Sequence, residues 1–97
     1  MNYNPYHLFF QNLANPLKTK IIHSLKKNPK SVSELSKETK IEQSKLSHAL
    51  ANLKTCHIVI VNKKGKERIY SLNKKTILPI LKIIDNHKIN FCLKCTK

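Results

Sequence analysis

The side chains with the clearest chemical reach lie in two short runs. Gln43, Ser44, Lys45, Ser47, His48 and Asn52 are the polar positions of a segment whose Leu46, Leu50 and Leu53 recur at helical spacing. Gln and Asn can each pair bidentately with adenine, and Ser or Lys can reach base edges or phosphates. Further along, Lys63, Lys64, Lys66 and Arg68 put four cations into six positions. A polyanion such as double-stranded DNA complements both runs. A third set, His87, Cys92 and Cys95, has the residue types that hold zinc. Two thiols at i, i+3 bind one ion as thiolates, with the imidazole or a partner-chain residue completing four ligands. The alternatives are a redox-active thiol pair and, more plainly, a pair of inert reduced thiols near a helix end. Cys56, alone at the end of the leucine-bearing segment, reads as a small buried hydrophobe. No Ser-His-acid or paired-carboxylate arrangement is present, so catalysis is not expected. One glycine is too few for a nucleotide-binding loop.

Those residues need elements to hold them. Tyr6, Phe9, Phe10 and Leu13 fall at i, i+3, i+4 and i+7 and predict a helix over 4–14. Asn15 reads as an N-cap and Pro16 as the first residue of a second helix, which Asn28-Pro29 ends. Ser31-Val32-Ser33-Glu34 has the form of a capping box and opens a short helix through Thr39. The leucine-bearing helix runs from Gln43 to Thr55. Ile58 to Asn62 and Glu67 to Leu72 read as strands of a hairpin, with a turn over Lys63-Lys64-Gly65-Lys66. Asn73 or Thr76 caps a last helix, and Pro79 fits the first turn of one begun at Thr76. The expected order is helix, helix, helix, helix, hairpin, helix: mainly α with a small β-hairpin. Residues 1–97 form one domain, a winged helix-turn-helix with 31–55 as the helix-turn-helix and 58–72 as the wing. In that architecture the second helix of the pair enters the major groove while the hairpin tip reaches neighbouring phosphates.

Charge points the same way. Nineteen Lys+Arg against five Asp+Glu give +14 on 97 residues, about one net positive charge per 400 Å² of folded surface. Such a field attracts nucleic acid or an anionic surface. The longest apolar run is Ile58 to Val61, far short of a membrane span. The first twenty residues lack a basic stretch followed by an apolar one, so no secretory signal is expected. Three cysteines suit a reducing cytoplasm. A core this thin leaves apolar surface over. The terminal helices, 4–14 and 74–95, are therefore expected to pack against a second copy. Tyr6, Phe9, Phe10 and Leu13 would meet Ile77, Ile80, Leu81, Ile84 and Phe91 across a two-fold axis.

Leu13-Ala14-Asn15-Pro16-Leu17-Lys18-Thr19-Lys20-Ile21-Ile22 resembles the opening of ArsR-family winged helix-turn-helix transcriptional regulators. Ser31 to Leu35 resembles their first helix-turn-helix helix, Gln43 to Leu50 their recognition helix, and Arg68 to Asn73 the strand leaving the wing. The resemblance covers residues 8 to about 85. It implies a homodimer that binds operator DNA, most simply a repressor, and that a signal releases. The turn between the paired helices usually has glycine where this chain has Lys40, and the recognition-helix cap is Glu42 instead of Ser. Positions that hold a Cys-Val-Cys pair in many such sensors are Ser31 and Ser33 here. Asp85-Asn86-His87 matches only the first half of an Asp-x-His zinc pattern. No cofactor is thereby implied for certain; zinc at His87, Cys92 and Cys95 is the candidate. A basic architectural DNA-binding protein and a winged-helix protein-interaction module are the alternatives.

Overall fold

Asn15 has an extended backbone, and its side-chain oxygen accepts from the Lys18 amide at 3.0 Å. With Pro16 at the first helical position, that cap separates α1 (Pro5–Ala14) from α2 (Pro16–Lys27). The computed structural model describes residues 5–90. Ser31 Oγ accepts from the Glu34 amide at 3.2 Å, and the Glu34 carboxylate accepts from the Ser31 amide at 2.9 Å. This reciprocal capping box opens α3 (Val32–Thr39). After it come α4 (Gln43–Thr55), β2 (Val59–Lys64), β3 (Glu67–Leu72) and α5 (Ile77–Asn90). Pro79 is the third residue of α5, where its missing amide costs no intrahelical bond.

The sheet corrects the expected hairpin in two ways. A two-residue strand, β1 (Lys30–Ser31), pairs antiparallel with β3, so the sheet has three strands in the order β1-β3-β2. The expected four-residue turn shrinks to Gly65-Lys66, because the ladder continues to Lys64 opposite Glu67. Gly65 takes φ +65 and no atom lies near where its Cβ would be, so the turn needs glycine for backbone conformation alone.

Leu46, Leu50 and Leu53 of α4 are fully buried, as are Ile21 of α2 and Leu35 of α3. Ile58, Val59 and Leu72 close the core from the sheet side. Truncating any one of the fully buried leucines to alanine should cost about 2–5 kcal/mol. That burial fixes the orientation of α4 and leaves its polar residues outside.

The turn between α3 and α4 works without its usual glycine. Lys40 adopts the left-handed region itself, at φ 65 and ψ 23. Its amide donates to the Ser36 carbonyl at 2.9 Å, and Ser36 Oγ donates to the Ile41 carbonyl at 2.7 Å. Ile41 is half-buried against the core, so the turn is held by packing and hydroxyls while Lys40 bears the strain.

The terminal helices depart from the expected dimer set. Ile77 is fully buried in the chain's own core, so it has no surface for a second copy. Phe9, Leu13 and Leu81 also pack against that core, each half-buried. Tyr6, Phe10 and Ile84 stay exposed and Ile80 half-buried, while exposed Leu8 and Ile83 were absent from the expectation. α5 begins at Ile77 instead of 74 because residues 74–76 form a turn in which Asn73 Oδ1 accepts from the Lys75 amide. Phe91, Cys92 and Cys95 lie outside the described residues.

Candidate nucleic-acid interface

With four apolar side chains of α4 turned inward (Leu46, Ala49, Leu50 and Leu53), helical periodicity must turn the others out. Gln43, Ser44, Lys45, Ser47, His48 and Asn52 are all exposed. No side chain caps the first turn of α4; Glu42 instead accepts from Ser44 Oγ at 3.4 Å. Ser47 and Asn52 line different clefts. Ser47 lines a cleft of about 450 Å³ between α4 and the wing, together with Lys54, Lys63, Arg68 and Tyr70. Asn52 lines another cleft, beside Leu8, Asn12 and Lys18 from α1 and α2. Asn52 is therefore set apart from the wing cations.

Lys63, Lys64, Lys66 and Arg68 are all exposed, on β2, the turn and β3. Sequence reading passed over Lys54, although Ser47, Ala51 and Lys54 at i, i+4 and i+7 mark one stripe of α4. Three of the five acids sit elsewhere. Glu34 is engaged in its capping box, where the Ser31 amide and then its hydroxyl hold the carboxyl below the usual value. Lys30 and Lys37 add to that lowering. Glu38 accepts from buried Ser24 Oγ and pairs with Lys27 and Lys30 at 3.7 and 3.5 Å. Asp85 pairs with Lys26. On α4 and the wing, Lys45, Lys54, Lys63, Lys64, Lys66 and Arg68 face only Glu42 and Glu67. α4 and the wing thus carry a net positive charge, as the rest of the chain does.

Cys56 is half-buried at the end of α4 and accepts from Asn12 Nδ2. His87 lies on α5, with Cys92 and Cys95 outside the described residues. Among the described residues no three His, Cys, Asp or Glu side chains gather as a metal site. Ser31 Oγ is occupied as a helix cap and Ser33 is an exposed hydroxyl, so residues 31 and 33 do not supply the thiolates a zinc site there would need.

Residues 15–61, which contain both helices of the pair, match the profile of the bacterial regulatory protein arsR family. The HTH-type transcriptional regulator Rv0081 of Mycobacterium tuberculosis is 33% identical over 76 residues, 77% of this chain and 67% of that protein. The chain belongs to the arsR family. It is a DNA-binding transcriptional regulator, in a family that is not enzymatic. The crystal structure of Rv0081 aligns over 99% of this chain and 100% of that one, with a TM-score of 0.82 and 26% identity. HlyU from Vibrio cholerae aligns over 89% and 91%, with a TM-score of 0.76 and 26% identity. The winged helix-turn-helix domain of Mb0332 from Mycobacterium bovis has a TM-score of 0.75 over 88% and 82%, and at 16% identity it speaks for the fold alone. Among the described residues no helix is long and apolar enough to cross a membrane.

Proposed function

We propose that this arsR-family chain is a sequence-specific repressor that binds operator DNA as a homodimer in the cytoplasm. In this reading 31–55 is the helix-turn-helix, 58–72 the wing, and the terminal helices the dimer face. One observation carries it: Gln43, Ser44, Ser47 and His48 are exposed on α4 while its apolar side chains are buried, and Ser47 shares a cleft with Lys63 of β2 and Arg68 of β3. Gln43 and Ser44 at the start of α4 would read bases, and the wing cations would hold phosphate. Occupying the operator blocks other proteins from that DNA, so repression follows from binding alone.

The dimer reading is supported by Tyr6 and Phe10 on α1 and Ile83 and Ile84 on α5, which the chain leaves exposed. Two recognition helices would then lie about 34 Å apart, one turn of DNA. The net charge of +14 favours a second reading, a basic protein that coats DNA without an operator.

Selection of bound duplexes from a random pool tests the two. A regulator returns one palindromic site preferred by about 10³-fold or more over random duplex. Equal affinity for all duplexes supports the coating reading, and failure to bind any duplex turns attention to a protein partner. Zinc is proposed only for His87, Cys92 and Cys95. The check is zinc titration of the wild type against a Cys92→Ser, Cys95→Ser double variant, read as bound metal and operator affinity.

A further inference from the structure

The pleat of the wing divides its four cations. Val59 and Leu72, Val61 and Tyr70, and Lys63 and Arg68 are successive facing pairs of β2 and β3. Because they recur every second residue, they share one face of the ribbon. At one end of that face Val59, Leu72 and Tyr70 are buried against the core. At the other end stand Lys63 and Arg68, lining the cleft that Lys54 lines from α4. Lys64 faces Glu67 in the intervening register, and Lys66 is in the turn. Neither of those two lines the cleft.

Like charges directly opposite on neighbouring strands repel and weaken the ladder. Here that pair lies on the helix-facing side of the ribbon, and a third cation from α4 is added to it. No acidic residue lines the cleft, and among the described residues Lys54, Lys63 and Arg68 take part in no ion pair. The oppositely charged pair, Lys64 with Glu67, is the one turned away.

We infer that the cleft between α4 and the wing is the seat of one backbone phosphate of duplex DNA, gripped by Lys54, Lys63 and Arg68. The inference rests on the DNA-binding reading above. Arg68 can offer two N–H groups to two phosphate oxygens, and the lysines add point charges. Ser47 belongs both to the cleft and to the exposed row of α4, so a strand passing the recognition helix reaches the seat without a detour. A phosphate held there fixes how far α4 enters the groove. Lys64 and Lys66 then act as outlying charges that attract the duplex without setting its register.

The test uses a selected duplex in which single phosphates are replaced, one at a time, by neutral methylphosphonate. One position per half-site should weaken wild-type binding and lower the log–log salt slope by about one. At that position Lys54→Gln and Arg68→Ala should lose little further affinity, whereas Lys64→Ala should lose as much as on the unmodified duplex. Lys54→Gln keeps the side-chain stem on an exposed helix position, and thermal melting checks that it folds. If no methylphosphonate position couples to Lys54 while Lys64→Ala and Lys66→Ala weaken binding, the seat is overturned and the DNA reading stands. Failure of the wild type to bind any duplex overturns both. Saturable binding of inorganic phosphate at micromolar concentration, lost in Lys54→Gln, makes a free anion the ligand and overturns the duplex as its source.

Discussion

Asn12 donates its side-chain amide to Cys56 Sγ at 2.9 Å, so a buried polar group of α1 grips the C-terminal end of α4. Its carbonyl oxygen accepts from Lys18 Nζ at 2.6 Å, which brings α2 into the same junction. α1 is thereby tied to the end of α4 by a side-chain hydrogen bond. Asn12→Ala removes both bonds and leaves a half-buried thiol and a partly buried ammonium without their partner. The expected loss is about 1–2 kcal/mol, read as a lower urea midpoint at unchanged m-value. Cys56→Ser should cost less, since a hydroxyl can still accept from the amide.

Among the described residues two other than glycine sit in the left-handed region, Lys40 at φ 65 and His57 at φ 59. Lys40 ends α3, and His57 follows α4 with its amide bonded to the Lys54 carbonyl at 2.9 Å. Glycine relieves the Cβ crowding at either site, offset in part by its greater freedom in the unfolded chain. Lys40→Gly and His57→Gly should each stabilise by about 0.5–1 kcal/mol. Gly65→Ala should destabilise by about 1–2 kcal/mol through backbone strain, because the space itself is open. Equal urea midpoints for wild type and both glycine variants would show that these turns carry no strain.

The capping box makes stability depend on acid pH. The Glu34 carboxyl lies below its usual value of 4.5, chiefly because it accepts from the Ser31 amide. A lowered folded value means the carboxylate form favours folding. That contribution is complete above the unfolded-state value and fades as pH falls through the folded one. Glu34→Gln keeps an acceptor but cannot titrate. The stability gap between wild type and Glu34→Gln should therefore be constant at neutral pH and close on acidification below 4.5. A gap that instead widened on acidification would contradict the sign.

What could be read from sequence was what repeats or caps locally. The bounds of α4 and its inward leucines follow from a 3.6-residue period, and the Asn15 and Ser31 caps from short-range chemistry. β1 could not be read that way: two residues carry no period, and Ser31 is at once a strand residue and a helix cap. Asn12 carries no local signal of its role, because its partner Cys56 is distant in the chain and meets it only at the end of α4. Ile77 looks like spare apolar surface in an isolated helix, yet the chain's own core consumes it. Lys54 went unmarked for the same kind of reason. Its stripe on α4 is plain in the sequence, but that the stripe faces Lys63 and Arg68 is a tertiary fact.

The dimer and the DNA complex should respond to salt in opposite directions. Phe10 is 60% exposed and Ile83 70%, so either can be changed without opening the core. Burying each against a second copy would contribute about 1.5–3 kcal/mol, while two chains of +14 repel one another. Screening weakens that repulsion, so added salt should tighten the dimer. Added salt should at the same time weaken duplex binding by releasing fewer counterions' worth of free energy. Phe10→Glu or Ile83→Glu should shift the protein to monomer in sedimentation without lowering its melting temperature at low concentration. Each variant should keep weak binding to a single half-site and lose its preference for the paired site. A wild type that stays monomeric at tens of micromolar in high salt, or variants that bind the paired site as tightly as wild type, would remove the terminal helices from the interface.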